Sequence, residues 1–369
     1  MAAPKKDADP QRGMSAFAER VLAKDGEAVG DDPVPRRGAS LLRRNSGPLA
    51  LGLGAFLITF ALLLRFYAAD QFAVLPANMS MQVRLVDETA SHLDTSTWKT
   101  VEDSEVTQST QVHGSPSPGN PDWVTWEVSV DTASGTSMIG HMDRRVVVHR
   151  STKMAVNCCG EHVDGDRAVR QAGLVLWWPA GAYGEEYPFY DADIRAAPSM
   201  VFDGHDEIAG VEVRRYVQTI DATQIPGSKR PVPAGVLGLD RSGTVTATRW
   251  LELRRTYWIE PVSGRLVNAA EERRETLKAD TGTGDRVLLD ADFTMPDTLV
   301  AAYAEDARAA RLLIAAVRTW LPAGLGVLGV LLVPVSALTW PRGREGRPGA
   351  EEAQDPDRSS PSWAGGNGA

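Results

Sequence analysis

Cysteine is nearly missing from this sequence: two in 369 residues, side by side as Cys158 and Cys159 in AVNCCGEH. Two adjacent thiols exclude a framework of several disulfides. Glu161 and His162 stand beside them, but no second ligand cluster at zinc spacing exists, so no metal site is expected. Three readings of the pair compete: a vicinal disulfide, two free thiols, or a bridge between protomers. The vicinal disulfide is the expectation. Histidine is also scarce, six residues, all between 92 and 205. No G-x-S-x-G elbow, no P-loop and no H-E-x-x-H is present, which leaves the usual nucleophilic, phosphate-binding and zinc-hydrolase chemistries without sequence support. The chain is expected to be a non-enzyme without a cofactor.

Charge is missing from two long runs. GPLALGLGAFLITFALLLRFY covers 47–67 and WLPAGLGVLGVLLVPVSALTW covers 320–340, each twenty-one residues with Arg65 as the single charge. A bilayer core takes about 20 apolar residues as helix. Arg65 is close enough to the end to snorkel. Trp320 and Trp340 bracket the second run as an aromatic belt, and Phe66 and Tyr67 close the first. Forty-six polar residues precede the first run and no clear A-x-A site follows it, so it reads as an uncleaved anchor.

Basic residues set the orientation. Arg36, Arg37, Arg43 and Arg44 precede the first run, and Arg342, Arg344 and Arg347 follow the second. The positive-inside rule places both termini in the cytoplasm and 68–310 outside the plasma membrane. Arg311 and Arg318, at the outer edge of the second run, oppose this weakly. The outer segment carries 36 acidic against 23 basic residues, a net charge of −13. So acidic a surface argues against nucleic acid as a partner.

The expected organisation is a disordered arm at 1–46, a transmembrane helix at 47–67, an extracytoplasmic domain at 68–310, a helix at 311–340 that includes the second span (320–340), and a disordered tail at 341–369. Between the spans the patterning is mostly strand. DWVTWEVSVD alternates Val124, Trp126, Val128 and Val130 against polar neighbours. VEVRRYVQTI (211–220) alternates likewise, and DRVLLDADF reads as another strand. Strands near 248–260 and 265–276 meet at Pro261-Val-Ser-Gly264, a turn sequence. SPSPGNP (115–121) and IPGSKRPVPAG (225–235) read as loops. From Asp297, a plausible N-cap, the sequence turns Ala-rich and helical, and Pro322 bends or restarts that helix. The class expected is α+β: a strand-rich extracytoplasmic domain between two transmembrane helices. Ala50, Gly54, Gly324, Gly326 and Gly329 offer small faces on which the spans can pair.

One stretch concentrates the aromatics. Trp177, Trp178, Tyr183, Tyr187, Phe189 and Tyr190 are six of the chain's twenty-five, within fourteen residues. They are core rings or the wall of a site for an apolar, lipid-like ligand. Glu185–Glu186 and Asp191–Asp193 flank them and read as a solvated rim.

Several segments in order resemble the porin PorA family of actinobacterial envelope proteins. They are the first span running into Leu64-Arg-Phe-Tyr67, Gly173-Leu…Pro179…Tyr187-Pro-Phe-Tyr190-Asp191, Phe202-Asp-Gly204…Glu207-Ile-Ala-Gly210, Tyr257-Trp-Ile-Glu-Pro261-Val-Ser-Gly-Arg265 and the second span. The resemblance covers about 48–340 and implies, by the family's name, a channel. Three functions follow: an envelope protein that binds or passes an apolar molecule, a structural module docking an envelope partner, and an oligomeric porin-like channel. The bilayer is the one partner all three share.

Overall fold

The computed structural model describes residues 46–68, 71, 74–280 and 282–339. The two terminal arms, apart from Ser46, lie outside the described residues, as do Trp340 and the arginine clusters on which the expected orientation rests. By contacts the chain divides into a large unit, Leu53–Leu332, and a small one made of Met1–Gly52 and Val333–Ala369. The described part of the small unit is helix ends.

The large unit is built on twelve antiparallel strands: β1 (Met79–Asp94), β2 (Lys99–Pro116), β3 (Trp123–Ser134), β4 (Ser137–His149), β5 (His162–Val163), β6 (Glu186–Pro188), β7 (Ser199–Ile208), β8 (Val211–Gln224), β9 (Arg230–Pro233), β10 (Thr244–Glu260), β11 (Arg265–Ala279) and β12 (Asp285–Thr294). Their order is β5-β4-β3-β2-β1-β12-β11-β10-β8-β7-β6, with β9 also on β10. Two meanders of sequential hairpins thus meet where β1 pairs β12. Val124, Trp126 and Val128 are buried on β3, and the 261–264 turn joins β10 to β11, as their patterns implied.

The α+β class expected for this domain is overturned. The chain forms a β-rich fold, one sheet with helices at the N- and C-terminal ends. The sequence patterns had left β1 and β2 unassigned, because segments such as VEDSEVTQST are polar on both faces and carry little period-two signal. The stretch 225–235, read as a loop, contains β9. A strand with two prolines survives there because it pairs only with β10, so its missing N–H groups interrupt no second ladder.

The sheet closes on itself. Past β4, His149 N–H donates to Met154 O at 2.9 Å and Val156 N–H to Val147 O at 2.7 Å. Ala155 N–H reaches Gly173 O at 2.8 Å, Leu174 N–H reaches Pro188 O at 2.7 Å, and Tyr190 N–H returns to Leu174 O at 2.8 Å. β6 then pairs β7. Three short segments therefore carry backbone pairing from β4 to β7, so neither of those strands is left as a bare edge. As a result, residues of β2 and β4 line one interior cavity with residues of β10 and β11.

Helix α1 (Ser46–Leu63) runs into a wide turn at Leu64–Ala68. Helix α2 (Asp297–Ala315) continues through a second wide turn, Ala316–Trp320, into α3 (Leu321–Thr339). Asp297 is not the N-cap; Pro296 is, without a side-chain bond, and Asp297 sits in the first turn, where its charge favours the helix dipole. Pro322 does not restart the helix, which stays continuous. Proline has no N–H for the carbonyl of Arg318 four residues earlier, and Arg65 Nη1 donates to that oxygen at 2.7 Å. Gly324-Leu-Gly326-Val-Leu-Gly329 has the glycine spacing of a dinucleotide fingerprint, but it lies inside α3 rather than at a strand-to-helix turn.

The helices meet at their small residues. A methyl at Gly54 would lie 2.9 Å from Gly329 O and 3.2 Å from Leu332 Cβ, and one at Gly329 would lie 2.7 Å from Ile58 Cγ1. Gly54→Ile is expected to cost about 1–3 kcal/mol as an overpacked contact. Gly52→Ile, with nothing within 4 Å, serves as the control. Thermal unfolding of both variants in the same detergent checks this; equal midpoints would refute the contact.

Candidate functional site

The aromatic stretch does not form one wall. Trp178 is fully buried, 5.5 Å from Phe189, 5.9 Å from Tyr216 and 5.7 Å from Tyr257 between ring centroids. Tyr187 stands edge-on to Tyr216 at 5.7 Å and accepts the Gly184 N–H at 3.0 Å. These rings are core. Tyr190 is buried on another side, among Val163, Val169 and Ala192. Tyr183 is 57% exposed. Trp177 points away from Trp178, lies 6.3 Å from Trp126 and lines two cavities beside α2. Cys158 and Cys159 form a vicinal disulfide, with Cys159 in the left-handed region at φ 64°.

The loop holding these rings is clasped by the β10–β11 turn. Trp178 N–H donates to Gly264 O at 3.3 Å, Gly181 N–H to Val262 O at 3.2 Å and Ala182 N–H to Pro261 O at 2.8 Å. Glu260 holds the turn, accepting from Val262 N–H at 3.1 Å and from Ser263 N–H at 2.7 Å.

Inside the sheet lies a feature the sequence reading missed. Asp191 and Asp193, taken as a solvated rim, point inward to arginines of β10 and β11. Arg255 donates to Glu271 at 2.8 Å, to Gln218 at 3.1 Å and to Asp191 at 3.2 Å. Arg273 donates to Glu275 at 2.8 Å, Glu271 at 3.1 Å and Asp193 at 2.7 Å. Arg249 also pairs with Glu275. Burial pushes the Asp191 carboxyl up, against the pull of Arg255. For Asp193 and Glu271, burial also pushes upward, but the arginines win and hold both below the usual carboxylate range. A signal was available: Ala269, Glu271, Arg273, Glu275 and Leu277 share one face of a strand, so its charges stand between apolar residues.

Two cavities open where α2 crosses the sheet. One, about 430 Å³, is lined by Ser80, Met81, Trp177, Arg265, Tyr303 and Asp306, among others. The other, about 120 Å³, is lined by Leu75, Lys153, Trp177, Arg265, Leu313 and Ile314, among others. Trp177 and Arg265 belong to both. Lys153 is buried and donates to Arg150 O at 2.6 Å. Burial, with Arg150 adding, pushes its ammonium down to about 7. Among the described residues no group of three or more His, Cys, Asp or Glu is placed to hold a metal. The arrangement offers a mostly apolar groove along which stand the Arg265–Asp306 ion pair, the Lys153 ammonium and the Tyr303 hydroxyl, which donates to Gln82 O.

Beyond the groove, α1 and α3 present apolar side chains outward, Phe56 at 61%, Val327 at 61% and Leu331 at 58% exposed. Helices Ser46–Ala68 and Asp297–Thr339 are each long and apolar enough to cross a membrane. Comparison with known proteins agrees. A protein named porin PorA from Corynebacterium amycolatum is 27% identical over 123 residues, covering 27% of this chain and 32% of that relative. The aligned part is thus about a third of the relative's length. The porin PorA family model matches residues 46–338, from the first helix through nearly all of the last, and the chain therefore belongs to the porin PorA family.

Proposed function

We propose that this protein is a non-enzymatic, membrane-anchored envelope protein that holds an apolar, lipid-like molecule in the groove between α2 and the sheet. The observation that carries this reading is the pair of cavities sharing Trp177 and Arg265, beside a helix that continues directly into an apolar span. An acyl chain would lie along Trp177, Leu313 and Ile314, and a polar head would meet Arg265 and Tyr303. The sheet stands outside the plasma membrane and both termini are cytoplasmic, a reading supported by the arginines before the first span and after the second.

Conduction through the sheet has less support. The outward faces of β10, β11 and β12 carry Glu252, Arg254, Glu272, Arg274 and Asp290 rather than the apolar band of a strand-spanning barrel. The interior is filled by rings and ion pairs. A porin-like pathway, as the family's name suggests, would have to be built by helices of several copies.

The test is native mass spectrometry of the full-length protein in detergent, with lipid extraction. A retained apolar molecule that is lost in Trp177→Ala supports the groove. A clean apo mass for the folded wild type overturns it. Trp178 is unsuitable for the same test because its ring is core.

A further inference from the structure

Arginines stand at intervals along α2 and its continuation, and the sheet answers those nearest to it. Arg308 Nη2 donates to Ala209 O at 2.5 Å, and Arg311 pairs with Glu212 at 3.1 Å. Arg318, further along, has an exposed side chain and no ion pair among the described residues. The contact made to it is on its main chain, where Arg65 Nη1 donates to Arg318 O at 2.7 Å. Arg65 is exposed as well and has no carboxylate partner among the described residues. One hydrogen bond thus brings together two guanidinium-bearing residues, neither of them paired with an acidic side chain.

Both residues belong to wide turns on separate helices, Arg65 to Leu64–Ala68 and Arg318 to Ala316–Trp320. Wide turns inside helices are frequent at functional sites. Phe66, Tyr67 and Trp320, in the same two turns, are all exposed. Aromatic residues so placed mark the head-group zone of a bilayer. On the span side of the arginines, Leu62, Leu63 and Leu321 are exposed too. Two like charges held together at that depth are stabilised by an anion, and a phosphate accepts several strong bonds from guanidinium groups.

We propose that the two turns form a docking site for one anionic phospholipid on the sheet side of the membrane, its phosphate held by Arg318 and by the remaining N–H groups of Arg65. The acyl chains run along Leu62, Leu63 and Leu321. A zwitterionic lipid carries the same phosphate but adds a cation, which two arginines repel, so the site selects head groups of net negative charge. The segment between the spans is acidic overall, so such a lipid gains only where these arginines stand. The site rests on the reading that both helices span a membrane, and it is separate from the groove beside α2.

The test is native mass spectrometry of the full-length protein in detergent, offered phosphatidylglycerol and phosphatidylcholine with the same acyl chains in equal amounts. The wild type is expected to retain phosphatidylglycerol preferentially. Arg318→Gln is expected to lower that preference about fivefold, the effect of one basic residue beside an anionic lipid. Arg311→Gln removes the same charge from a residue that Glu212 already answers, and should leave the preference in place. Trp177→Ala should leave it in place too, so failure of the groove and failure of this site are read separately. Equal retention of the two lipids by the wild type overturns the proposal, as does an unaltered preference in Arg318→Gln. Equal losses in Arg318→Gln and Arg311→Gln also overturn it, because the preference then follows net charge and not the turns. Inorganic phosphate at constant ionic strength should not displace the lipid; displacement overturns the lipid assignment in favour of free phosphate.

Discussion

Glu271→Ala is expected to destabilise the protein by about 3–5 kcal/mol, the usual cost of removing one partner from a buried ion pair. Glu271 is 2% exposed and accepts from Arg255 at 2.8 Å and Arg273 at 3.1 Å. Without it both guanidinium groups stay inside the sheet with too few acceptors, and Gln108 loses a partner too. The adjacent Glu272 is the control. Its side chain faces outward, 61% exposed, against Arg254 at 3.2 Å. Glu272→Ala should cost roughly 0–1 kcal/mol, since exposed pairs are screened by water. Chemical denaturation of the two variants measures the difference directly. Equal losses would mean that the interior network contributes nothing beyond a surface pair.

The same network sets an acid limit. Glu271 and Asp193 have folded-state affinities for protons below those of the unfolded chain. The unfolded state therefore binds more protons in that window, and stability rises with pH across it. Their contribution is fully present above the ordinary carboxylate range and is lost as pH falls below it. Asp191 has the opposite sign, so its contribution opposes theirs. Glu271→Gln should flatten the acid limb of a stability-versus-pH curve. An unaltered limb would assign acid sensitivity to other groups.

Gly264→Ala is the second large effect, on the order of 3 kcal/mol. Two costs add. Gly264 has φ +72°, where an L side chain costs roughly 1–2 kcal/mol. A methyl there would also lie 2.3 Å from Trp178 O and 2.5 Å from Pro179 O, main-chain atoms that no rotamer change can move aside. That collision adds about 1–3 kcal/mol and pushes the aromatic loop off the β10–β11 turn. Gly181, at φ +77° with nothing within 4 Å, separates the two terms. Gly181→Ala should lose only the conformational part, about 1 kcal/mol. Near-equal losses for the two variants would show that the clasp is loose. Near-ultraviolet circular dichroism should change for Gly264→Ala alone, because Trp178 and its neighbours lose their fixed surroundings.

Features set by local physics were legible in the residues alone. Two runs without charge specified the apolar helices, because a bilayer-length apolar helix needs only composition and length. Period-two alternation marked β3 and β8, because each has one apolar face. Pro261-Val-Ser-Gly264 marked its turn, because that backbone needs glycine at one position. The small residues that let α1 approach α3 were also visible as small residues, though not which of them touch.

Everything else depends on contacts between residues far apart in the chain. β1 and β2 are strands because β12 and β3 complete their ladders, not because their own residues announce it. Sheet closure depends on bridges from 154–156 to 173–174 and from 174 to 189–190, single contacts that no periodicity records. The six aromatics, contiguous in sequence, part company because successive residues of an extended chain point to opposite faces: Trp178 into the core, Trp177 toward α2. Asp191 and Asp193 look like rim residues until the closed sheet brings Arg255 and Arg273 to them across 64 and 80 positions. Charge is a property of each residue, but whether a charge has a partner is decided only when distant strands share one interior.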